Sequence, residues 1–141
     1  MKAIDILVIE DNDDHADLIL DSLLQFNSEN RVFRLPGGED IIAMLNDRDS
    51  GKEWEYPDII LLDLKMPRVD GIEVLRQLKS DPDWKKIPVV ILTTSSIPKD
   101  INTCYELGAN SFVSKPLSYT DFMNTVGRIN RYWVDTSRLP E

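Results

Sequence analysis

The sequence predicts an α/β fold, a doubly wound parallel sheet of five strands with five helices. Three observations carry this reading. Short apolar runs alternate with stretches of helical period, the pattern of βαβ units. "DIILL" (58–62) and "IPVVILT" (87–93) are nearly continuous in apolar residues, as strands covered on both faces of a parallel sheet read. Carboxylates, hydroxyls and a lysine stand just after these runs, where a parallel sheet gathers them on one rim. The 141 residues fit one domain, long enough for a hydrophobic core without staples.

The elements follow in order. "AIDILVI" (3–9) is the first strand. Ala16, Ile19, Leu20, Leu23 and Leu24 repeat with helical period and predict an amphipathic helix over 13–26. "RVFRL" (31–35) alternates and reads as an edge strand. Ile41, Ile42 and Leu45 mark a short second helix near 38–47, and "NDRDSGKEWEYPD" (46–58) is a polar connection without strong period. The third strand runs into "ILLDLKMPRVDG" (60–71), where Pro67 and Gly71 shape a loop. A third helix follows near 70–79, marked by Ile72, Leu75 and Leu78. After the fourth strand, Ile101, Cys104, Tyr105 and Leu107 predict a helix near 98–107, with Pro98 in its first turn and Gly108 as its stop. "SFVS" (111–114) is the fifth strand. Phe122, Val126, Ile129 and Trp133 give the fifth helix near 118–133, with Ser118 three residues before Asp121 at its start. The chain shows no internal repeat and no low-complexity segment, and "VDTSRLPE" reads as a tail.

Composition excludes several classes. A formal net charge of -9 repels nucleic acid and anionic membrane surfaces, so neither is expected as a partner. Cys104 is the single cysteine, which forbids an internal disulfide and fits a reducing compartment. The apolar start "MKAIDILVIEDN" is broken by Asp5 and Glu10, too soon for a signal-peptide core. No run approaches the roughly 20 apolar residues of a membrane span. A soluble, cytoplasmic protein is expected.

The strand ends carry the chemistry. The first strand delivers Glu10 and Asp11, the third Asp63, the fourth Thr93 and Thr94, the fifth Ser114, Lys115 and Pro116. Two like charges about 5 Å apart repel by roughly 3 kcal/mol at an effective dielectric of about 20. One lysine cannot neutralise three clustered carboxylates. Either one carboxylate stays protonated or the site holds a divalent cation. Oxygen ligands favour Mg²⁺, Mn²⁺ or Ca²⁺ over zinc. A Mg²⁺ held by few carboxylates keeps waters and accepts a phosphate oxygen, with Thr93 and Lys115 placed to contact others. This chemistry fits phosphoryl transfer, in which an aspartate can itself be the nucleophile.

"VIEDN", "ILLDLKMPRVDG", "VVILTTS" and "GANSFVSKPL", in this order, make the chain resemble the receiver domain of two-component response regulators. The match spans about residues 4 to 133, with residues 1–134 as the receiver and 135–141 as a tail. The resemblance implies a flavodoxin-like sheet of order 2-1-3-4-5. It implies that Asp63 accepts a phosphoryl group from a sensor histidine kinase and that Asp11 and Asp63 hold Mg²⁺ with the backbone carbonyl of Lys65. Glu10 assists the metal, Thr93 and Lys115 hold phosphoryl oxygens, and Phe112 takes the aromatic switch position. A cis Lys115–Pro116 bond is implied as well. The chain would be a phosphoacceptor with at most slow self-dephosphorylation, not an enzyme with turnover. It would signal by contact with a downstream protein. Glu10 replaces the commoner Asp, Lys65 is a long cation two residues after the acceptor, Thr94 is bulkier than the usual Ala or Gly, and Phe112 lacks a tyrosine hydroxyl.

A finer resemblance is to stand-alone regulators partnered with bacterial phytochromes, carried by "SGKEWEYPD", "TTSSIPKDI" and "RYWVDTSRLP". It implies a phytochrome upstream. It also implies a homodimer through the fourth helix, fifth strand and fifth helix, where Tyr105, Met123 and Tyr132 are candidates. Simpler roles compete. Asp63 alone reads equally well as a capping aspartate. Glu10 and Asp11 could serve the first helix, although Asp13 or Asp14 is available to cap it. His15 is expected on the helix surface, Cys104 in packing, Trp54 and Trp84 over an edge, and Trp133 in core or interface. Two other functions are less well matched. A dehalogenase-type hydrolase needs a second Asp where Lys65 stands. A flavin binder needs a phosphate-cradling loop where "EDNDDH" would repel phosphate.

Overall fold

The computed structural model describes residues 3–46 and 56–140. Its elements run β1 (Asp5–Ile9), α1 (Asp13–Phe26), β2 (Arg31–Leu35), α2 (Gly38–Asn46), β3 (Ile59–Leu62), α3 (Gly71–Ser80), β4 (Val89–Thr93), α4 (Pro98–Glu106), β5 (Ser111–Ser114) and α5 (Tyr119–Arg131). A single π-helical turn, Tyr132–Thr136, follows α5. The strands form one parallel sheet in the order β2-β1-β3-β4-β5. The alternating "RVFRL" is an edge, and the two apolar runs β3 and β4 are fully buried.

Strand periodicity divides the core in two, because successive side chains point to opposite faces. Leu7, Ile9, Ile60, Leu62, Val89 and Ile91 meet Ile41 and Leu45 of α2, Val74, Leu75 and Leu78 of α3, and Cys104 of α4. Their neighbours Ile6, Val8, Ile59, Leu61, Val90 and Leu92 meet Ile19 and Leu23 of α1 and Phe122, Val126 and Ile129 of α5. Each fully buried side chain of this size contributes about 1.5–3 kcal/mol.

Helix termini are set by local side chains. Asn12 caps α1 by accepting from the His15 N–H at 3.0 Å. The neighbouring Asp13 and Asp14 stay in the first turn, where acids suit the helix dipole. Ser118 caps α5, and Pro98 opens α4, which ends before Gly108 at φ 105. Asp70 caps α3 by accepting from Glu73 N–H at 3.0 Å. Asp70→Ala is expected to cost about 1 kcal/mol, read as a lower urea midpoint at unchanged slope.

One tryptophan departs from expectation. Trp84 is 2% exposed and belongs to the α2–α3–α4 side of the core, with Tyr56 edge-on at 5.2 Å. The Asp81 carboxylate turns it inward by accepting from the N–H groups of Asp83 and Trp84. Trp133, Val134 and Leu139 pack against the α1–α5 side. Trp54 lies outside the described residues. No helix among them is long and apolar enough to cross a membrane.

Candidate functional site

Sheet register places the chemistry. Ile9 pairs with Leu62, and Leu62 with Ile91. The residues that follow Ile9 and Leu62 are Glu10 and Asp63, and both stay tied to the ladder. Glu10 N–H donates to Leu35 O at 3.1 Å, Asp63 N–H to Ile9 O at 3.0 Å, and Lys115 N–H to Thr93 O at 2.7 Å. Glu10, Asp63, Thr93 and Lys115 are buried, at 1%, 7%, 0% and 8% exposure. Asp11 is half-buried and Thr94 exposed.

The side chains converge. One ligand oxygen each from Glu10, Asp11 and Asp63 lies within 4.8 Å of the others. The Lys115 ammonium donates to Glu10 Oε1 and stands 3.5 Å from Asp63 Oδ2. Its third neighbour is His15 Nδ1, at 3.0 Å. Once all three carboxyls are ionised, three carboxylates against one ammonium leave an excess equal to the charge of one divalent cation. Burial, then Asp63 beside it, pushes the Glu10 carboxyl up to about 8. Glu10 Oε2 is buried with no hydrogen-bond partner. An orphaned carboxylate oxygen at an all-oxygen cluster fits a hard divalent cation, and this acidic group is a metal site in its chemistry.

Two residues escaped the sequence reading. Arg34 of β2 donates from Nε and Nη2 to the Glu10 carbonyl at 3.0 and 2.9 Å and pairs with Asp13 at 2.8 Å. His15 is not a plain surface residue. Burial and the facing Lys115 ammonium lower its pKa from the ordinary value, so the neutral ring accepts at Nδ1. Its position in the first helical turn was the available signal, since helix side chains lean toward the N-terminus. Arg34 gave no signal, because its role depends on strand register.

The remaining candidates sit around this centre. Lys65 N–H faces Asp63 Oδ1 at 3.4 Å, while its exposed ammonium pairs with Asp100 at 3.7 Å. Asp100 also accepts from Ser95 Oγ at 2.7 Å, and Ser95 N–H faces Thr93 Oγ1 at 3.4 Å. This polar chain joins the loop after Asp63 to α4. Phe112 is half-buried against the α2–α3–α4 side of the core, and its N–H donates to the Tyr105 hydroxyl at 3.2 Å. The structure corrects one expectation: the Lys115–Pro116 bond is trans, with no cis peptide among the described residues. Trans is the isomer an X–Pro amide ordinarily favours, by about 0.5–1 kcal/mol. Gly71 closes the site from below, where a Cβ would meet Asp63 O at 2.2 Å.

A flavodoxin-like sheet that carries an acidic triad and a lysine at its rim is the arrangement of a phosphorelay receiver. Residues 6–127 match the family model described as "Response regulator receiver domain", and the chain belongs to that family. Its relatives narrow the comparison. The probable methanogenesis regulatory protein FilR2 of Methanothrix harundinacea is 38% identical over 135 residues, 96% of this chain and 86% of its own length. Response regulator Rcp1 of Synechocystis sp. is 35% identical over 135 residues, 96% of this chain and 92% of Rcp1. A crystal structure of the Mn(2+)-bound form of response regulator Rcp1 superposes with a TM-score of 0.90 at 34% identity, over 98% of this chain and 99% of that one. The crystal structure of the phosphorylated cyanobacterial phytochrome response regulator RcpA gives a TM-score of 0.93 at 34% identity, over 99% of this chain and 100% of that one.

Proposed function

We propose that this receiver takes a phosphoryl group on Asp63 from a sensor histidine kinase in the cytoplasm and signals through phosphorylation-controlled contact with a downstream protein. The observation that carries this is the fixed, buried Asp63 carboxylate 3.5 Å from Lys115 inside an acidic cluster. An Asp63 oxygen attacks phosphorus as the P–N bond of the phosphohistidine breaks. The electron pair leaves on the imidazole nitrogen, which takes up a proton. Glu10, Asp11, Asp63 and the Lys65 carbonyl would hold Mg²⁺, with Mn²⁺ or Ca²⁺ able to substitute. The bound cation supplies positive charge toward the phosphoryl oxygens. Thr93 and Lys115 contact those oxygens, and Phe112 repacks as Thr93 moves. The site acts as an acceptor with at most slow self-dephosphorylation.

The likeness to Rcp1 and to the phosphorylated RcpA supports a phytochrome as the upstream kinase. A homodimer through α4, β5 and α5 would use the exposed Tyr105 and Tyr132 beside half-buried Met123. The test is phosphotransfer from a panel of sensor kinases, phytochrome kinases in both light states included, with Mg²⁺ present. Transfer to Asp63, fastest from a phytochrome, is expected. Transfer from no kinase and no labelling by acetyl phosphate would remove the reading.

Metal dependence should carry a pH signature. Between about pH 4.5 and about pH 8 the folded chain keeps a proton on Glu10 that the unfolded chain has lost. Metal-free stability therefore falls as pH rises through this window. The cation must displace that proton, so thermal stabilisation by Mg²⁺ should be larger at about pH 8 than at about pH 6. Melting curves with and without Mg²⁺ measure this, and Glu10→Gln should flatten the dependence.

A further inference from the structure

His15 stands outside the family motifs, yet its ring meets the phosphoryl-contact lysine. An ammonium has three N–H donors and no acceptor. In this structure its three facing atoms are Glu10 Oε1, Asp63 Oδ2 at 3.5 Å and His15 Nδ1 at 3.0 Å. Nδ1 lies nearer to the ammonium, at 3.0 Å, than to Glu10 Oε1, at 3.5 Å, so it is assigned as the acceptor from Lys115, with the ring proton on Nε2. The residue is held at two points. Its backbone N–H is fixed by the Asn12 cap at 3.0 Å, and its ring lies tilted against Phe122 of α5 with centroids 5.8 Å apart. Glu10 and Asp63 are the carboxylates that cation binding or phosphorylation would engage. Either event withdraws an acceptor from Lys115, whereas His15 stays available through both.

We propose that His15 is a positioning residue for phosphoryl transfer: it anchors the Lys115 ammonium at the rim while the carboxylates change partners, so that the ammonium meets the incoming phosphoryl group already aimed. This rests on Asp63 being the phosphoacceptor. Without His15 the flexible lysine stem loses the contact that survives metal loading. The phosphorylation rate then falls, because lost orientation is a direct cost to transfer.

The test compares three variants with the wild type, each incubated with acetyl phosphate and saturating Mg²⁺ and followed by intact mass. His15→Leu keeps the packing on Phe122 and removes the acceptor. His15→Ala serves in its place if the Leu variant does not fold. His15→Asn returns an oxygen at the atom equivalent to Nδ1. The expected result is about a 10-fold slower rate for Leu or Ala, the size of one hydrogen bond to a charged group, and recovery to within about 3-fold of wild type for Asn. A merely structural role would show no rescue by Asn beyond its effect on the melting temperature. Leu or Ala at the wild-type rate, or Asn as slow as Leu, overturns the proposal. Absence of labelling in the wild type overturns the phosphoacceptor reading instead, so the two failures are distinct.

Discussion

Asp63→Asn is expected to abolish phosphoryl labelling while leaving the protein folded. An amide oxygen of nearly the same size fills the same buried position, so no cavity opens. What disappears is the anionic nucleophile. The variant also removes one negative charge beside Glu10. Burial is the first cause of the raised Glu10 carboxyl and Asp63 the next, so the Glu10 pKa should fall in the variant. The metal-free protein should melt no lower than wild type, because a like-charge neighbour is gone. Stabilisation by Mg²⁺ should shrink with the loss of one ligand charge. Intact mass after acetyl phosphate treatment, beside melting curves with and without Mg²⁺, checks all three points. Labelling of the variant at the wild-type rate would place the acceptor elsewhere.

Gly71→Ala is expected to destabilise the fold by about 3 kcal/mol or more, at the upper end of overpacking effects. The added Cβ would lie 2.2 Å from Asp63 O, 2.6 Å from Leu64 Cα and 3.0 Å from Asp63 C. These are backbone atoms and cannot rotate away. Gly71 N–H also donates to Leu64 O at 3.0 Å, which locks the start of α3 onto the segment just after β3. A loss of this size lowers the melting temperature by on the order of 10 °C. Gly37→Ala is the control. Its Cβ would meet Glu39 Oε1 at 2.7 Å, the far end of a flexible side chain that can turn aside. Equal effects of the two substitutions would show that close backbone approach at Gly71 is not what matters.

Most of the fold was legible because its signals are local. The buried strands β3 and β4 read as apolar runs, β2 as an alternating edge, and helix ends as Pro98, Gly108 and Ser118. The acidic rim was legible because a parallel sheet aligns strand ends, and Glu10, Asp11 and Asp63 do meet. What was hidden depends on long-range geometry. Arg34 reaches Glu10 through the β1–β2 register, and His15 reaches Lys115 across the contact of α1 with α5. Trp84 was misjudged because its neighbours are polar, and a turn built on Asp81 buries it without any periodic pattern. Asn12 caps α1 although two aspartates beside it suit the same role chemically.

Cys104 adds a practical consequence. It is the single cysteine of the chain, fully buried on the inner side of α4, and burial pushes its thiol up to about 11. A thiol reagent in neutral buffer therefore meets almost no thiolate and no accessible sulfur. Modification must wait until α4 lifts from the sheet, so its rate tracks how often that helix opens. Asp100, on the same helix, is tied through Ser95 to Thr93. Ellman-type labelling of the native chain thus becomes a clock for α4, one that needs no engineered probe and can be run before and after acetyl phosphate.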